Sequence, residues 1–140
     1  MTALAGVRTK SKRWGGGGPE RLYELQMAAS TTIHQGALVA LNASGLLVPM
    51  STATGLKAVG RAEESKVSGA SGVTRCKVST GVFNWENDAG DLVTAAAKGA
   101  VCYATDDQTV SITATGKSVA GVVVDIDSEG VWVNVGLEQK

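Results

Sequence analysis

Histidine, cysteine, proline and aromatic side chains are all scarce in this chain of 140 residues, which has one His, two Cys, two Pro, three Trp, two Tyr and one Phe. With His34 alone, a hydrolytic triad or a Cys–His pair would have to run through that residue. It stands in "STTIHQG", where nothing in the sequence places a nucleophile beside it. Cys76 and Cys102 have neither metal-ligand spacing nor a second ligand set nearby, and are expected as reduced, buried small hydrophobes. No apolar run approaches a membrane span, and no apolar segment after the early basic residues reads as a signal peptide, so a cytoplasmic origin is expected. The adjacent pairs Glu63–Glu64 and Asp106–Asp107 make no acid/base dyad, because neighbours on a strand point to opposite faces; solvated turn charges are expected.

Valine, threonine and glycine are abundant instead: 18 Val, 13 Thr and 18 Gly, against 10 Leu and 3 Ile. β-Branched residues regularly broken by glycine predict an all-β fold of short strands. "GALVALNASGLLVPM" (36–50) reads as a hairpin turning at "NASG". "GLKAVGRAEE" is a further strand and "SGASG" (68–72) a small-residue loop. "VTRCKVSTGVFNWE" alternates with period two, Thr74, Cys76 and Val78 facing one way and Arg75, Lys77 and Ser79 the other. "LVTAA", "VCYA" and "VSITA" are short strands, with Val110 and Ile112 on one face, and a short helix is an option within "DLVTAAAKGA". Turns every 8–12 residues predict a small antiparallel β-sandwich or β-barrel. A Val- and Ala-built core buries little area per residue, which favours an oligomer.

The formal net charge is zero but unevenly placed. Residues 1–18 hold Arg8, Lys10, Lys12 and Arg13 without an acid, followed by Trp14 and the run Gly15, Gly16, Gly17 and Gly18. This predicts a basic N-terminal arm (1–21) with a glycine hinge, ahead of a single β-rich domain (22–140) whose anchored part begins with Leu22, Tyr23 and Leu25. The body is acidic and lacks basic–aromatic interleaving, so no specific nucleic-acid binding is expected. "GKS" at 116–118 lacks the earlier glycine of a phosphate loop, the position being Ser111.

The strongest metal candidate is "DIDSEG" in "KSVAGVVVDIDSEGVWVNV". Asp125, Asp127, Glu129 and Gly130 match the first positions of a calcium loop, but the twelfth is Gly136, which has no carboxylate, and the flanks read as strands. A hairpin explains the same residues: Asp125 and Asp127 bond the backbone of the turn, Gly130 takes a positive φ, and Val131, Val133 and Val135 share a face. No metal, cofactor or small-molecule substrate is expected.

The pattern "TIHQGALVALNASGLLVPM…GLKAVGRAEES…GVFNWEN…GAVCYATDDQTVSIT…SVAGVVVDIDSEGVWVNV" resembles the small capsid cement, or head decoration, proteins of tailed bacteriophages and prophages over about residues 28–137. The resemblance implies a non-enzymatic structural virion protein, often a homotrimer, made in the host cytoplasm. It implies binding to the outside of an icosahedral shell, where the protein clamps neighbouring major capsid protein subunits against internal DNA pressure. Arg8, Lys10, Lys12, Arg13 and Trp14 would then reach onto the capsid or a neighbouring copy, with Leu22, Tyr23 and Leu25 beside them. The rival readings are another virion β module (tail, fibre base or host-surface binding), a small enzyme using His34, and an arm touching packaged DNA.

Overall fold

The computed structural model describes residues 3–8, 21–71 and 73–137. They form two five-stranded layers and a small two-stranded sheet. The first layer has the order β1 (Leu22–Gln26), β7 (Arg75–Ser79), β5 (Lys57–Ala62), β3 (Leu38–Leu41), β4 (Leu47–Pro49). All its pairings are antiparallel. The second is a closed barrel of β10 (Thr109–Ser111), β8 (Gly81–Asn87), β12 (Gly130–Val135), β11 (Val119–Asp127) and β9 (Val101–Ala104), in which only β10–β8 is parallel. β2 (Thr32–Ile33) and β6 (Lys66–Val67) make the small sheet. The all-β expectation holds, and of the two architectures it allowed the second layer is a barrel.

Closure has a direct stabilising consequence, because a closed sheet leaves no unpaired edge. The first layer only approaches closure. Met27, just past β1, forms a parallel bridge with Leu47 of β4, and the Ala28 N–H donates to the Leu47 carbonyl at 3.0 Å.

Each layer has its own apolar interior. The barrel is filled by Phe83, Trp85, Cys102, Val110, Val123, Val131, Val133 and Val135, with Leu38, Ala40 and Met50 contributed by the first layer and its flank. The other core gathers Met27, Ile33, Val39, Leu47, Val59, Cys76 and Val78. Val131, Val133 and Val135 do share the inward face. Many of these side chains are Val or Ala, so the interior is filled by number rather than size.

The "NASG" turn forms as expected, with the Asn42 Oδ1 accepting from the N–H groups of Ser44 and Leu46. Three local expectations are corrected. "VTRCKVSTGVFNWE" is two strands in different layers: Thr80 exchanges bonds with Arg21, ending β7, and β8 then pairs with β12. "LVTAA" is not a strand; Asn87 brackets Val93 with two bonds of 2.9 Å, and a 3-10 turn covers Ala95–Ala97. Ser111, not Ile112, is buried beside Val110, and Ile112 lies outside β10.

Candidate docking surface

The "DIDSEG" segment is the β11–β12 hairpin turn, and every polar group expected to shape it is engaged. The Asp127 Oδ1 accepts from the Glu129 N–H at 2.8 Å, and the Asn84 Nδ2 donates to the Glu129 carbonyl at 3.0 Å. Gly130 has φ +125°, and a Cβ there would lie 2.3 Å from the Trp85 carbonyl oxygen, so glycine is needed for both conformation and space. The Asp125 Oδ1 takes the Lys98 ammonium at 2.9 Å and the Ile126 N–H at 2.8 Å. The Lys98 bond, then the Ile126 N–H, hold its carboxyl below the usual range. Among the described residues, no three His, Cys, Asp or Glu side chains are grouped as a metal ion would need.

"GKS" is likewise tied into the fold. The Lys117 Nζ donates to Asp91 at 3.1 Å and to the Ser111 Oγ at 2.8 Å, while the Ser118 Oγ accepts from the Leu56 N–H. Asp91 is further held by the Thr113 N–H, which with the Thr113 hydroxyl lowers its pKa.

Of the two carboxylate pairs, Asp106–Asp107 is not solvated, contrary to expectation, while Glu63 and Glu64 are partly exposed. Asp106 and Asp107 are buried. Asp106 accepts from the Gln108 N–H at 2.9 Å and Asp107 from the Leu4 N–H at 2.8 Å. Burial pushes the Asp107 carboxyl up, against the Leu4 bond that lowers it; His34 is a lesser, opposing charge nearby. Glu63 is bound by Arg61 and by the Ser79 hydroxyl, and Glu64 by the Lys77 N–H. Cys76 and Cys102 are buried free thiols, as expected. Burial raises them to about 11 and about 12, respectively.

The most informative departure is at the N-terminus. Residues 3–8 are not an outstretched arm but a strap laid across the body. Leu4 packs against the first-layer core, and the Arg8 N–H donates to the Gln35 carbonyl at 2.9 Å. The Arg8 side chain, only 1% exposed, lies 5.3 Å over the Trp85 ring, with Nη2 3.5 Å from Glu86. Beside it, Arg61 stacks 4.3 Å over Phe83. Burial pulls the Arg8 pKa down, opposed by Glu86, and its Nε and Nη1 have no hydrogen-bond partner. In this fold Arg8 is therefore seated on the body rather than extended away from it. Lys10, Lys12, Arg13, Trp14 and Gly15–Gly18 lie outside the described residues.

Sequence inspection missed this strap, because its partners are remote. The Leu4–Asp107 bond spans 103 positions, and Arg8 resembles its basic neighbours. One local signal existed. Gly36 in "IHQGAL" has φ +93°, and a Cβ there would lie 2.7 Å from the Arg8 Cβ. A glycine so placed marks a close approach by another segment.

Leu22, Tyr23 and Leu25 fall on β1, the edge strand of the first layer. Tyr23 and Leu25 pack onto the core, while Leu22 is 64% exposed. The Arg21–Thr80 and Met27–Thr74 bonds fix the ladder phase, so the backbone groups of Leu22 and Glu24 point away from β7. The Glu24 carbonyl is taken by the Arg75 guanidinium at 3.1 Å, which leaves its N–H outward. Val67 and Val73, 71% and 67% exposed, flank the 68–72 loop, beyond the other end of β1. Among the described residues, β1 thus presents a short outward edge with exposed apolar side chains at its ends. No protein-family model, curated protein or solved structure matches the chain.

Proposed function

We propose that this chain is a structural virion protein that binds the outer surface of an icosahedral phage capsid, where copies, as homotrimers, cement neighbouring major capsid protein subunits. The observation that carries this reading is the β1 edge. It is backed by Tyr23 and Leu25, and its outward Leu22 N–H and C=O and Glu24 N–H face away from β7, where an added strand would pair. Strand addition draws affinity from main-chain hydrogen bonds and specificity from flanking side chains such as Leu22. Weak individual contacts, repeated around symmetry axes, then sum to a strong hold. The closed barrel supplies a body that resists deformation. The carboxylates of the hairpin, of the pairs 63–64 and 106–107, and of Asp91 serve internal ties, which fits a binding role rather than turnover.

The test is Glu24→Pro. Proline at an outward N–H removes no internal ladder bond but blocks an incoming strand. The variant should unfold within about 1 kcal/mol of the wild type, the scale of a tolerated edge change, and co-sediment with expanded shells at least tenfold more weakly. Equal binding of both proteins would discard the edge as the docking element.

A further inference from the structure

The outward side of β1 is more closed than a plain strand edge. Alternation along the β1–β7 ladder turns the N–H and C=O groups of Leu22, Glu24 and Gln26 away from β7. At the Gln26 end, the Met27–Leu47 bridge and the Ala28–Leu47 bond bring β4 alongside. In the middle, the Arg75 Nη1 donates to the Glu24 carbonyl at 3.1 Å. Arg75 stands on β7 opposite Gln26, so its side chain passes diagonally over β1 to reach that oxygen. An antiparallel strand added to this edge would exchange a pair of main-chain bonds with each outward residue it faces. Its N–H must come to about 2.9 Å from the carbonyl oxygen. At Glu24 the guanidinium already stands at that distance and competes with it.

We infer that Arg75 is a displaceable guard of the β1 edge, capping the Glu24 carbonyl in the unbound protein and yielding it to the N–H of an incoming strand, an inference that rests on the strand-addition reading above. While the guard is in place, only Leu22 can complete a bond pair. Once it leaves, Leu22 and Glu24 offer two pairs in succession. Arg75 and Glu24 are both exposed, so water competes for the bond between them and a well-matched strand can displace it. Charged side chains laid on a sheet edge protect it against indiscriminate pairing, and here the protection falls on one acceptor. The guard also sets a requirement on the capsid strand: the residue facing Glu24 must carry an N–H, which excludes proline there.

Arg75→Ala, Glu24→Pro and the double variant of the full chain test it against the wild type, first by co-sedimentation with expanded shells. Arg75 is exposed and its side chain takes no part in the ladder, so Arg75→Ala leaves the fold intact. The guard predicts that Arg75→Ala binds roughly three- to tenfold more tightly than the wild type, the net worth of one hydrogen bond, and that adding Glu24→Pro removes the gain. Equal or weaker binding by Arg75→Ala overturns the guard; if Glu24→Pro still weakens binding the edge reading stands, and if it does not, both fall. A gain that survives Glu24→Pro runs through another surface and also overturns the guard. Analytical ultracentrifugation of the same four chains alone decides the matter if none binds a shell, a result that discards the shell but not the guard. Arg75→Ala should then self-associate more strongly than the wild type, and Glu24→Pro should abolish the difference. Unchanged self-association would refute the guard.

Discussion

Replacing Gly130 by alanine separates two costs that the hairpin imposes at one position. At φ +125° an L-residue is strained, at roughly 1–3 kcal/mol. The new Cβ would also lie 2.3 Å from the Trp85 carbonyl oxygen, so β12 must move away from β8 by about an ångström to restore contact distance. That movement loosens the Val131–Trp85 register and the Asn84–Glu129 bond, each hydrogen bond contributing about 1 kcal/mol net. The sum is about 3–5 kcal/mol, a large share of a small domain's stability. Gly116→Ala is the matched control. It has φ +74° but nothing within 4 Å of the added Cβ, so only the conformational cost of about 1 kcal/mol applies. Urea unfolding, followed by the emission of buried Trp85, should place Gly130→Ala at least 2 kcal/mol below Gly116→Ala with similar m-values. Equal losses would refute the close contact between the hairpin turn and the barrel wall.

Two further outcomes follow from the buried groups. The folded protein holds the Asp107 proton more tightly than the unfolded chain, because burial raises the carboxyl. Its contribution therefore favours folding below the ordinary carboxylate range, about pH 4, and is lost as pH rises through the raised value. Asp107→Asn keeps an oxygen acceptor for the Leu4 N–H without the charge. It should be more stable than the wild type at pH 7, with the advantage gone near pH 3; a variant less stable at pH 7 would contradict this. Cys76 and Cys102, raised to about 11 and about 12, should be silent to a thiol-disulfide reagent at pH 8 in the folded state and react together on unfolding. Rapid native reaction of either would contradict its burial.

Much of the fold was legible wherever one local pattern settled the structure. Cys76 and Val78 alternate with Arg75 and Lys77 because β7 has one covered face, and "NASG" and "DSEG" carry the residues their turns demand. The layer change after Ser79 was not legible, since apolar and polar residues go on alternating across it and only the Arg21–Thr80 pairing ends β7. Nor was the burial of Asp106 and Asp107, which look like turn charges in the sequence, while the Leu4 N–H that Asp107 accepts comes from 103 positions away. In the candidate docking surface, Leu22, Tyr23 and Leu25 stood out as an anchored strand start. That β1 ends up at an edge depends on pairings as remote as Leu22 with Ser79. Arg8 reads like its basic neighbours because charge patterning takes no account of a ring 77 positions later.

Imaging tests the proposed location on a shell. Purified protein is mixed with empty, expanded capsids and the particles are reconstructed by electron cryo-microscopy. The proposed role predicts added density on the outer surface, repeated at symmetry axes and fitted by the two-layer body, with the β1 edge toward a capsid subunit. Bare shells, or density confined to the interior or to a single vertex, would contradict it.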